Sequence, residues 1–356
     1  MNSMDHSVNK TALGAIEDDS WLGEKLGEFG EIHFQLGLDW YKLQADFAMA
    51  GREQCFVYSH RDKAGEYAIL PVIVDHQSST IRSLATYYTS CYLPLISEAG
   101  GGDSLVLILQ YLFRVERFST LQLQPLPEGA SSTCALQTAL KAAPEAVWSA
   151  YHHSVNWRLS PAPASWLEYQ KSLPGQLRNT IKRNTKKFIA RTGALFDIYL
   201  DDKAIAEKMA DFQDVYHHSW KQPEPWPEFI PNMVAHYALT GRIRLGVAYL
   251  AGEAIAAQIW VVNGGTAHIY KLAQKEGYGR LSVGTLLTAK LFKHVMEVDG
   301  VQAIDFMSGD DAYKSAWMNQ QRALLGLIVH NKGTVRGWLR SVKLRTRKWI
   351  KARLNR

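Results

Sequence analysis

The sequence predicts an α/β protein, with mixed α+β sheets, built as two lobes that follow one another along the chain. Three observations carry that prediction. The 356 residues exceed the roughly 100–200 that one domain uses, which favours two. Hydrophobic residues make up 47% and charged residues 21%, a globular balance that excludes a disordered chain and can supply two cores. Segments of strand character alternate with segments of helical period, and both halves repeat one coarse order: strands in a meander, helix, strand, helix, strand. No residue-level repeat accompanies that order, so a duplicated fold rests on order alone.

Residues 1–30 are polar or small and read as a flexible lead. The first lobe, 31–160, opens with apolar residues at helical intervals from Leu38 to Ala50. "CFVYSHRDKAGEYAILPVIV" then reads as strand, turn, strand, with Lys63-Ala64-Gly65-Glu66 as the turn. "TIRSLATYYTSCYLPLIS" is a further strand region, closed by Gly100-Gly101-Gly102 as a breaker. Asp103 or Ser104 can cap a helix through "LVLILQYLFRVERF". "TLQLQPLP" alternates as a strand, Ser131 or Ser132 opens a helix to Ala143, and "AVWSAYHHSVNWRLS" is strand-like.

A connection, 161–195, follows. Pro161, Pro163, Pro174 and Gly175 bracket the short helix "SWLEYQKSL", and "QLRNTIKRNTKKFIARTG" is a basic helix that Gly193 can stop. Its cations read as a solvated face or as contacts to a phosphate-bearing ligand. The second lobe, 196–331, has the clearer pattern. "FDIYL" is a strand, Ala204–Trp220 an amphipathic helix, "PEPWPEFI" a proline-rich loop and Ile230–Leu239 a helix. "IRLGVAYL", "AIAAQIWVV" and "TAHIYKLA" form a three-strand meander, with Asn263-Gly264-Gly265 a strong hairpin turn. The loop "QKEGYGRLSVG" leads into the helix "TLLTAKLFKHVME", and the strands "VQAIDFM" and "ALLGLIVH" flank the most unusual stretch of the chain.

The formal net charge of +6 is unevenly placed. From Ala312 onward there are twelve Lys/Arg and no Asp or Glu, which leaves 28 basic against 34 acidic residues in the remainder. A basic tail on an acidic body points to an anionic partner: membrane, nucleic acid or polyanion. Within 332–356, Val335, Trp338, Leu339, Val342, Trp349 and Ile350 fall along a helical stripe with cations elsewhere, which suits an anionic membrane surface. Docking on the protein's own acidic body is the alternative, and the lack of a visible RNA-reading motif weighs against nucleic acid. The start, "MNSMDHSVNK", lacks an apolar core and reads against a secretory signal. No run of ~18 apolar residues exists to span a bilayer. Cys55, Cys91 and Cys134 are expected as reduced, buried thiols. The expected location is the cytoplasm, with peripheral contact at the inner membrane face through the tail.

No H-x-x-x-H with a third ligand, CxxC, GxSxG or Walker loop occurs, so metal, serine-hydrolase and P-loop chemistries lack their minimum parts. His152-His153 and His217-His218 are adjacent, and adjacent side chains diverge, so no metal is expected. Two stretches remain. Around Gly277–Thr285, a glycine-bearing turn with Gly279 and Arg280 feeds a helix whose first residues are Ser282, Val283, Gly284 and Thr285. Exposed N–H groups and the helix dipole at such an end can receive a pyrophosphate, and Arg280 can add a charge-assisted bond. A plain Ser-capped helix fits the same residues. In "IDFMSGDDAYKSAWM", 304–318, an apolar alternation ends on Gly309, Asp310 and Asp311 follow, and Tyr313, Lys314 and Trp317 come at helical spacing. Asp310 also fits an N-cap, Tyr313 and Trp317 a packing pair, and Asp305 a structural hydrogen bond.

From about Phe196 to His330 the chain resembles the GNAT acetyltransferase superfamily, and more closely its two-lobed FemAB-like branch, including the CelD-like proteins of cellulose biosynthesis. "YGRLSVGTLL" is similar to that branch's S-P-G turn into a helix, with Val283 where proline is frequent. "IDFMSGDDAYKSAW" is similar to its D-F-x-x-G-D-x-x-Y-K-x-x-W. Ser219-Trp220 and the linker ending in "RTG" fit as well. The resemblance implies tandem GNAT-like lobes. It implies acetyl-CoA or another acyl-CoA in an opening beside Leu272 and Ala273, its pyrophosphate on Gly279, Arg280, Ser282, Val283, Gly284 and Thr285. Tyr313 would offer its hydroxyl to the departing thiolate, Lys314 would bind a CoA phosphate or an acidic acceptor, and Asp310 or Asp311 would cap the short helix or hold the incoming amine and accept its proton. The implied activity is N-acylation of a small-molecule or glycan-precursor amine, such as an amino sugar for a surface polysaccharide. The alternatives are aminoacyl transfer from charged tRNA, and a catalytically silent scaffold that recruits a membrane-bound synthase.

Overall fold

The computed structural model describes residues 8–51, 53–98 and 101–354, with side chains in the last helix described to Leu344 and at Thr346. In chain order the first half contains β1 (Asn9–Ala12), α1 (Ser20–Ile32), α2 (Leu38–Phe47), β2 (Gln54–Arg61), β3 (Tyr67–Asp75), β4 (Thr80–Ser83), β5 (Leu95–Ile96), α3 (Gly101–Arg114), β6 (Thr120–Pro127), α4 (Ser131–Ala142) and β7 (Ala146–Leu159). The second half contains α5 (Trp166–Ser172), α6 (Gly175–Ile189), β8 (Leu195–Tyr199), α7 (Asp202–His217), α8 (Phe229–Leu239), β9 (Ile243–Leu250), β10 (Glu253–Asn263), β11 (Thr266–Gln274), α9 (Val283–Glu297), β12 (Ala303–Ser308), β13 (Gln320–Asn331) and α10 (Val335–Leu354).

Two compact units divide the chain inside β7 and β13: one runs to Ser154 and resumes at Ala323, the other is Val155–Arg322. The two halves of the sequence thus exchange their last strands. β13, from the second half, pairs with β6, while the end of β7, from the first half, pairs with β12. The sequence reading of lobes 31–160 and 196–331 follows chain order and does not register this exchange.

In the first unit β1 to β4 are antiparallel neighbours and β4 pairs with β6 in parallel. Leu105, Ile108, Leu109 and Leu112 of α3 and Leu136 and Leu140 of α4 cover Leu70, Val72, Ile81 and Leu121 of that sheet. Of residues 1–30, expected as a flexible lead, the described part holds β1 and most of α1. Asp19 caps α1 by accepting from the Leu22 amide at 3.1 Å, and Ile16, Leu22 and Leu26 are fully buried; three anchors suffice to order a segment that looks polar on average. Residues 1–7 of that lead, and Gly100, lie outside the described residues. Gly101 and Gly102, expected as a breaker, form the first turn of α3. A Cβ on Gly101 would meet Ile96 Cβ at 2.6 Å and Tyr67 O at 2.8 Å, so close approach explains that glycine. Cys91 is buried and Cys55 half-buried, but Cys134 is exposed.

In the second unit β8 to β11 form an antiparallel meander and β11 continues in parallel to β12. The Gly264-Gly265 turn has φ of 53° and 69°, the left-handed pair that a two-residue hairpin requires. α9 buries Val283, Leu286, Leu287, Leu291, Phe292 and Val295. Phe292 stacks on Tyr169 at 5.2 Å and on Trp317 at 4.8 Å and meets Trp260 edge-on at 5.5 Å. Removing such a ring costs about 3–5 kcal/mol. The Tyr169 hydroxyl also donates to Trp317 O, so the aromatic stack ties α5 and α9 to the stretch that follows β12.

Candidate active site

β11 and β12 pair at three positions, Thr266 with Ala303, Ala267 with Ile304 and His268 with Asp305, and then part. The walls of the wedge are Ile269–Gln274 and Phe306–Ser308. Each wall carries an extra residue where the parting starts. Ile259 faces Lys271 and Trp260 faces Ile269, so Tyr270 is a bulge in β11. Asp305 faces Arg158 and Ser308 faces Asn156, so β12 bulges as well. Bulges bend a strand and sharpen its twist, which is a sufficient cause for two parallel strands to diverge. Leu272 and Ala273 lie on the β11 wall, paired on the other side with Gln258 and Ala257.

The β12 bulge is built by side chains. Met307 has φ of 57°, a conformation that costs a non-glycine residue about 1–3 kcal/mol. It is held by Asp305, whose Oδ1 accepts from the Met307 amide at 2.6 Å. Asn156 Nδ2 donates to Met307 O at 3.2 Å and to Asp305 Oδ1 at 2.5 Å. Asp305 therefore makes the structural bond expected of it.

Beyond the bulge, Gly309 adopts φ of 124° and turns the chain out of the strand, its amide donating to Val155 O at 2.9 Å. A five-residue 3-10 turn, Ala312–Ala316, follows. Neither aspartate caps it through its side chain. Asp311 holds the N-cap position without a side-chain cap bond and pairs with Lys314 at 3.1 Å. Asp310 is exposed, and its Oδ1 accepts from Trp157 Nε1 at 3.4 Å and Gln321 Nε2 at 3.3 Å. Lys314, which the resemblance assigns to a CoA phosphate or an acidic acceptor, is 5% exposed. Its ammonium is taken by Ser308 O at 3.0 Å, Gly309 O at 3.3 Å and Asp311. Burial lowers its pKa, with Asp311 opposing. It locks the corner from within. Tyr313 and Trp317 diverge rather than pack on each other: Trp317 is buried on Phe292, while Tyr313 stays 45% exposed with its ring edge-on to Phe306 at 5.6 Å. Desolvation, then the Asp311 carboxylate, push the Tyr313 phenol above its ordinary value, so it keeps its proton at neutral pH.

The loop before α9 is pinned. Lys275 bridges Asp214 at 2.6 Å and Glu253 at 2.8 Å, and the Tyr278 hydroxyl donates to Glu253 at 3.1 Å. Gly279–Leu281 is a 3-10 turn with Arg280 exposed, and Ser282 is left-handed at φ 54°. The Ser282 hydroxyl accepts from Asn184 Nδ2 at 3.0 Å and caps no helical amide. Val283 is fully buried, so its side chain belongs to the core. Thr285 is half-buried. At Gly284 the amide donates to Gln274 Oε1 at 3.1 Å. A carboxamide oxygen from the end of β11 thus sits on the start of α9.

Two residues outside the sequence-derived set stand out. Lys271, on the β11 wall, donates to Glu224 Oε1 at 2.6 Å, and burial lowers the Lys271 pKa, with Glu224 opposing. Glu224 Oε2 is buried without a hydrogen-bond partner. Glu224 lines a cavity of about 320 Å³ with Phe212, Tyr216, Lys221 and Ile230. Lys221 is close enough to lower the pKa of both Lys271 and Lys314. Among the described residues no group of His, Cys, Asp and Glu could hold a metal ion.

With the wedge and the helix start in view, the comparisons with known proteins fit. Residues 175–315 match the acetyltransferase (GNAT) domain family. A tandem GNAT protein from the clavulanic acid biosynthesis pathway is similar at 12% identity and TM-score 0.50, over 90% of this chain and 98% of that one. L-PGS from Bacillus licheniformis is similar at 9% identity and TM-score 0.51, over 91% and 95%. FemX is similar at 9% identity and TM-score 0.50, over 77% and 88%. These likenesses establish the fold as that of tandem GNAT proteins. No curated protein matches the chain in sequence.

Proposed function

We propose that the chain is an acyl-CoA-dependent N-acyltransferase that moves the acyl group directly to an amine. The single observation that carries the reading is the parting of β11 from β12, with a protonated tyrosine on the turn that leaves β12. Acyl-CoA, acetyl-CoA being the simplest, would supply the activated thioester. The chain's residues suit it: the β11 edge at Leu272 and Ala273 for pantetheine, and Gly279, Arg280, Ser282, Val283, Gly284 and Thr285 for the pyrophosphate. Gln274 would have to release the Gly284 amide. Tyr313 gives its proton to the departing sulfur. Asp310 holds the incoming amine, and Glu224, with one buried free oxygen, is the second carboxylate able to take the amine's proton. The cavity beside Glu224 would take the acceptor, an amino sugar or another precursor of a surface polysaccharide, in line with the CelD-like motif at Asp305–Trp317.

A second reading, aminoacyl transfer from charged tRNA, is favoured by one observation. The Gln274 carboxamide already occupies the amide that a CoA pyrophosphate would use. Isothermal titration separates the two. Heat on adding CoA, with transfer of acetate to amino sugars, supports the first. Silence at millimolar CoA, together with transfer that requires charged tRNA, replaces it with the second.

A further inference from the structure

We propose that α10 is a fixed membrane-docking element for a bilayer surface rich in anionic phospholipid, whatever reaction the second unit performs. The helix VRGWLRSVKLRTRKWIKARL carries eight Lys/Arg and no Asp or Glu. Its first turns show how it is mounted. Gly337 and Ser341 are buried, and a Cβ on Gly337 would lie 2.0 Å from Asn331 O, so this face lies hard against the end of β13. Two arginines anchor it: Arg336 donates to Gln77 O at 3.2 Å and Arg340 to Thr120 Oγ1 at 2.6 Å. Asn331, fully buried, fixes the turn before the helix through bonds to Phe113 O at 2.9 Å and Phe118 O at 3.0 Å.

The opposite face is the apolar one. Val335, Trp338, Leu339 and Val342 are 78%, 53%, 57% and 42% exposed. Their spacing of three, four and seven puts them within one stripe. Trp349 and Ile350 extend the stripe by spacing, though their side chains lie outside the described residues. The helix therefore does not use its apolar stripe to bind its own unit; a different face is already docked there. A stripe that contains tryptophan and is flanked by cations matches the interface of a bilayer, where indole sits at headgroup depth and each nearby Lys or Arg is attracted to anionic lipid. Charge complementarity thus selects the occupant: a neutral or cationic surface gains nothing from eight cations. A second copy of this chain would set the two rows of cations against each other.

The test uses the full chain in sedimentation with vesicles of phosphatidylcholine alone or mixed equally with phosphatidylglycerol. The protein should pellet with the mixed vesicles and at least ~10-fold less with phosphatidylcholine. Leu339→Asp, at an exposed position, should lower binding to mixed vesicles by ~10-fold or more. Lys343→Glu should reduce the preference for anionic lipid. Leu239→Asp, at an exposed leucine of α8, should change nothing, and circular dichroism of each variant reports the fold. Binding to mixed vesicles that Leu339→Asp leaves intact would overturn the proposal, as would no binding at all. A concentration-dependent dimer without vesicles, lost in Leu339→Asp, would make the stripe an interface between copies instead. Salt-sensitive binding to duplex DNA or RNA in place of vesicles would likewise overturn it.

Discussion

Gly309→Ala probes the corner that carries Tyr313. Two terms add. The backbone there is at φ 124°, and forcing an L-residue into a sparsely populated region costs about 1–3 kcal/mol. The new Cβ would also stand 2.8 Å from Lys314 Nζ. Displacing that buried ammonium from Ser308 O and Gly309 O loses hydrogen bonds to a charged group, roughly another 1–3 kcal/mol. Gly252→Ala is the matched control, since Gly252 has φ of 83° and nothing within 4 Å of its Cβ position, so it suffers the backbone term alone. A chain with two units need not unfold in one step, so the readout is hydrogen exchange resolved to residues 303–318. Gly309→Ala should lower protection there by about 30- to 10⁴-fold, the equivalent of roughly 2–6 kcal/mol. Gly252→Ala should leave that segment within about 2-fold, because the two sites are separate cooperative elements. Unchanged protection of 303–318 in Gly309→Ala would refute the role given to Gly309 and Lys314.

Four further outcomes are expected. Tyr313→Phe should lower kcat about 10²- to 10⁴-fold with KM for acyl-CoA little changed, because only proton donation is removed; an unchanged kcat removes Tyr313 from the mechanism. Glu224→Gln should lower kcat by a similar factor and Asp310→Asn by less if Glu224 is the base, and the reverse order assigns the proton to Asp310. Gln274→Ala should tighten CoA binding about 5-fold, the worth of the one neutral hydrogen bond that CoA no longer displaces; weaker binding would mean that Gln274 holds the ligand. His268 is buried, and burial, then Arg158, depress its pKa to about 3. The folded state therefore prefers neutral imidazole, and stability present above the unfolded pKa near 6.5 is lost as pH falls towards 3. That amounts to about 2 kcal/mol between pH 7.5 and 5, and His268→Gln should flatten the corresponding slope in a denaturant series.

How much of this could be read from the chain depends on how local each feature is. The Asn263-Gly264-Gly265 turn and the strands on either side are legible because turn conformation and a short apolar run, buried along nearly all of β10, are written within a few residues. The parting of β11 from β12 is not. It depends on bulges at Tyr270 and Met307, which arise from register against β10 and β7, and no local pattern marks either. The exchange of β7 and β13 is illegible for the same reason: "AVWSAYHHSVNWRL" and "ALLGLIVH" declare strands, not partners.

Within the candidate site, motif spacing singles out Tyr313 and the start of α9, whereas Lys314, expected to bind a CoA phosphate or an acidic acceptor, is buried against its own turn. A five-residue 3-10 turn is too short for periodicity to reveal which side chain points inward. Glu224 was missed because a proline-rich loop has no period at all. Its partner did leave a signal: Lys271 interrupts the apolar strand "TAHIYKLA", and a lysine there is seldom buried unless paired.

The central claim is that the wedge between β11 and β12 receives an acyl thioester. A crystal structure with acetyl-CoA tests it most directly. The account predicts pantetheine density between Leu272–Ala273 and Phe306–Ser308, the thioester sulfur within hydrogen-bond reach of the Tyr313 hydroxyl, and Gln274 turned away from a pyrophosphate on the Gly284 amide. Strands laddered together beyond Asp305, or Gln274 still bonded to Gly284 at saturating ligand, would contradict it.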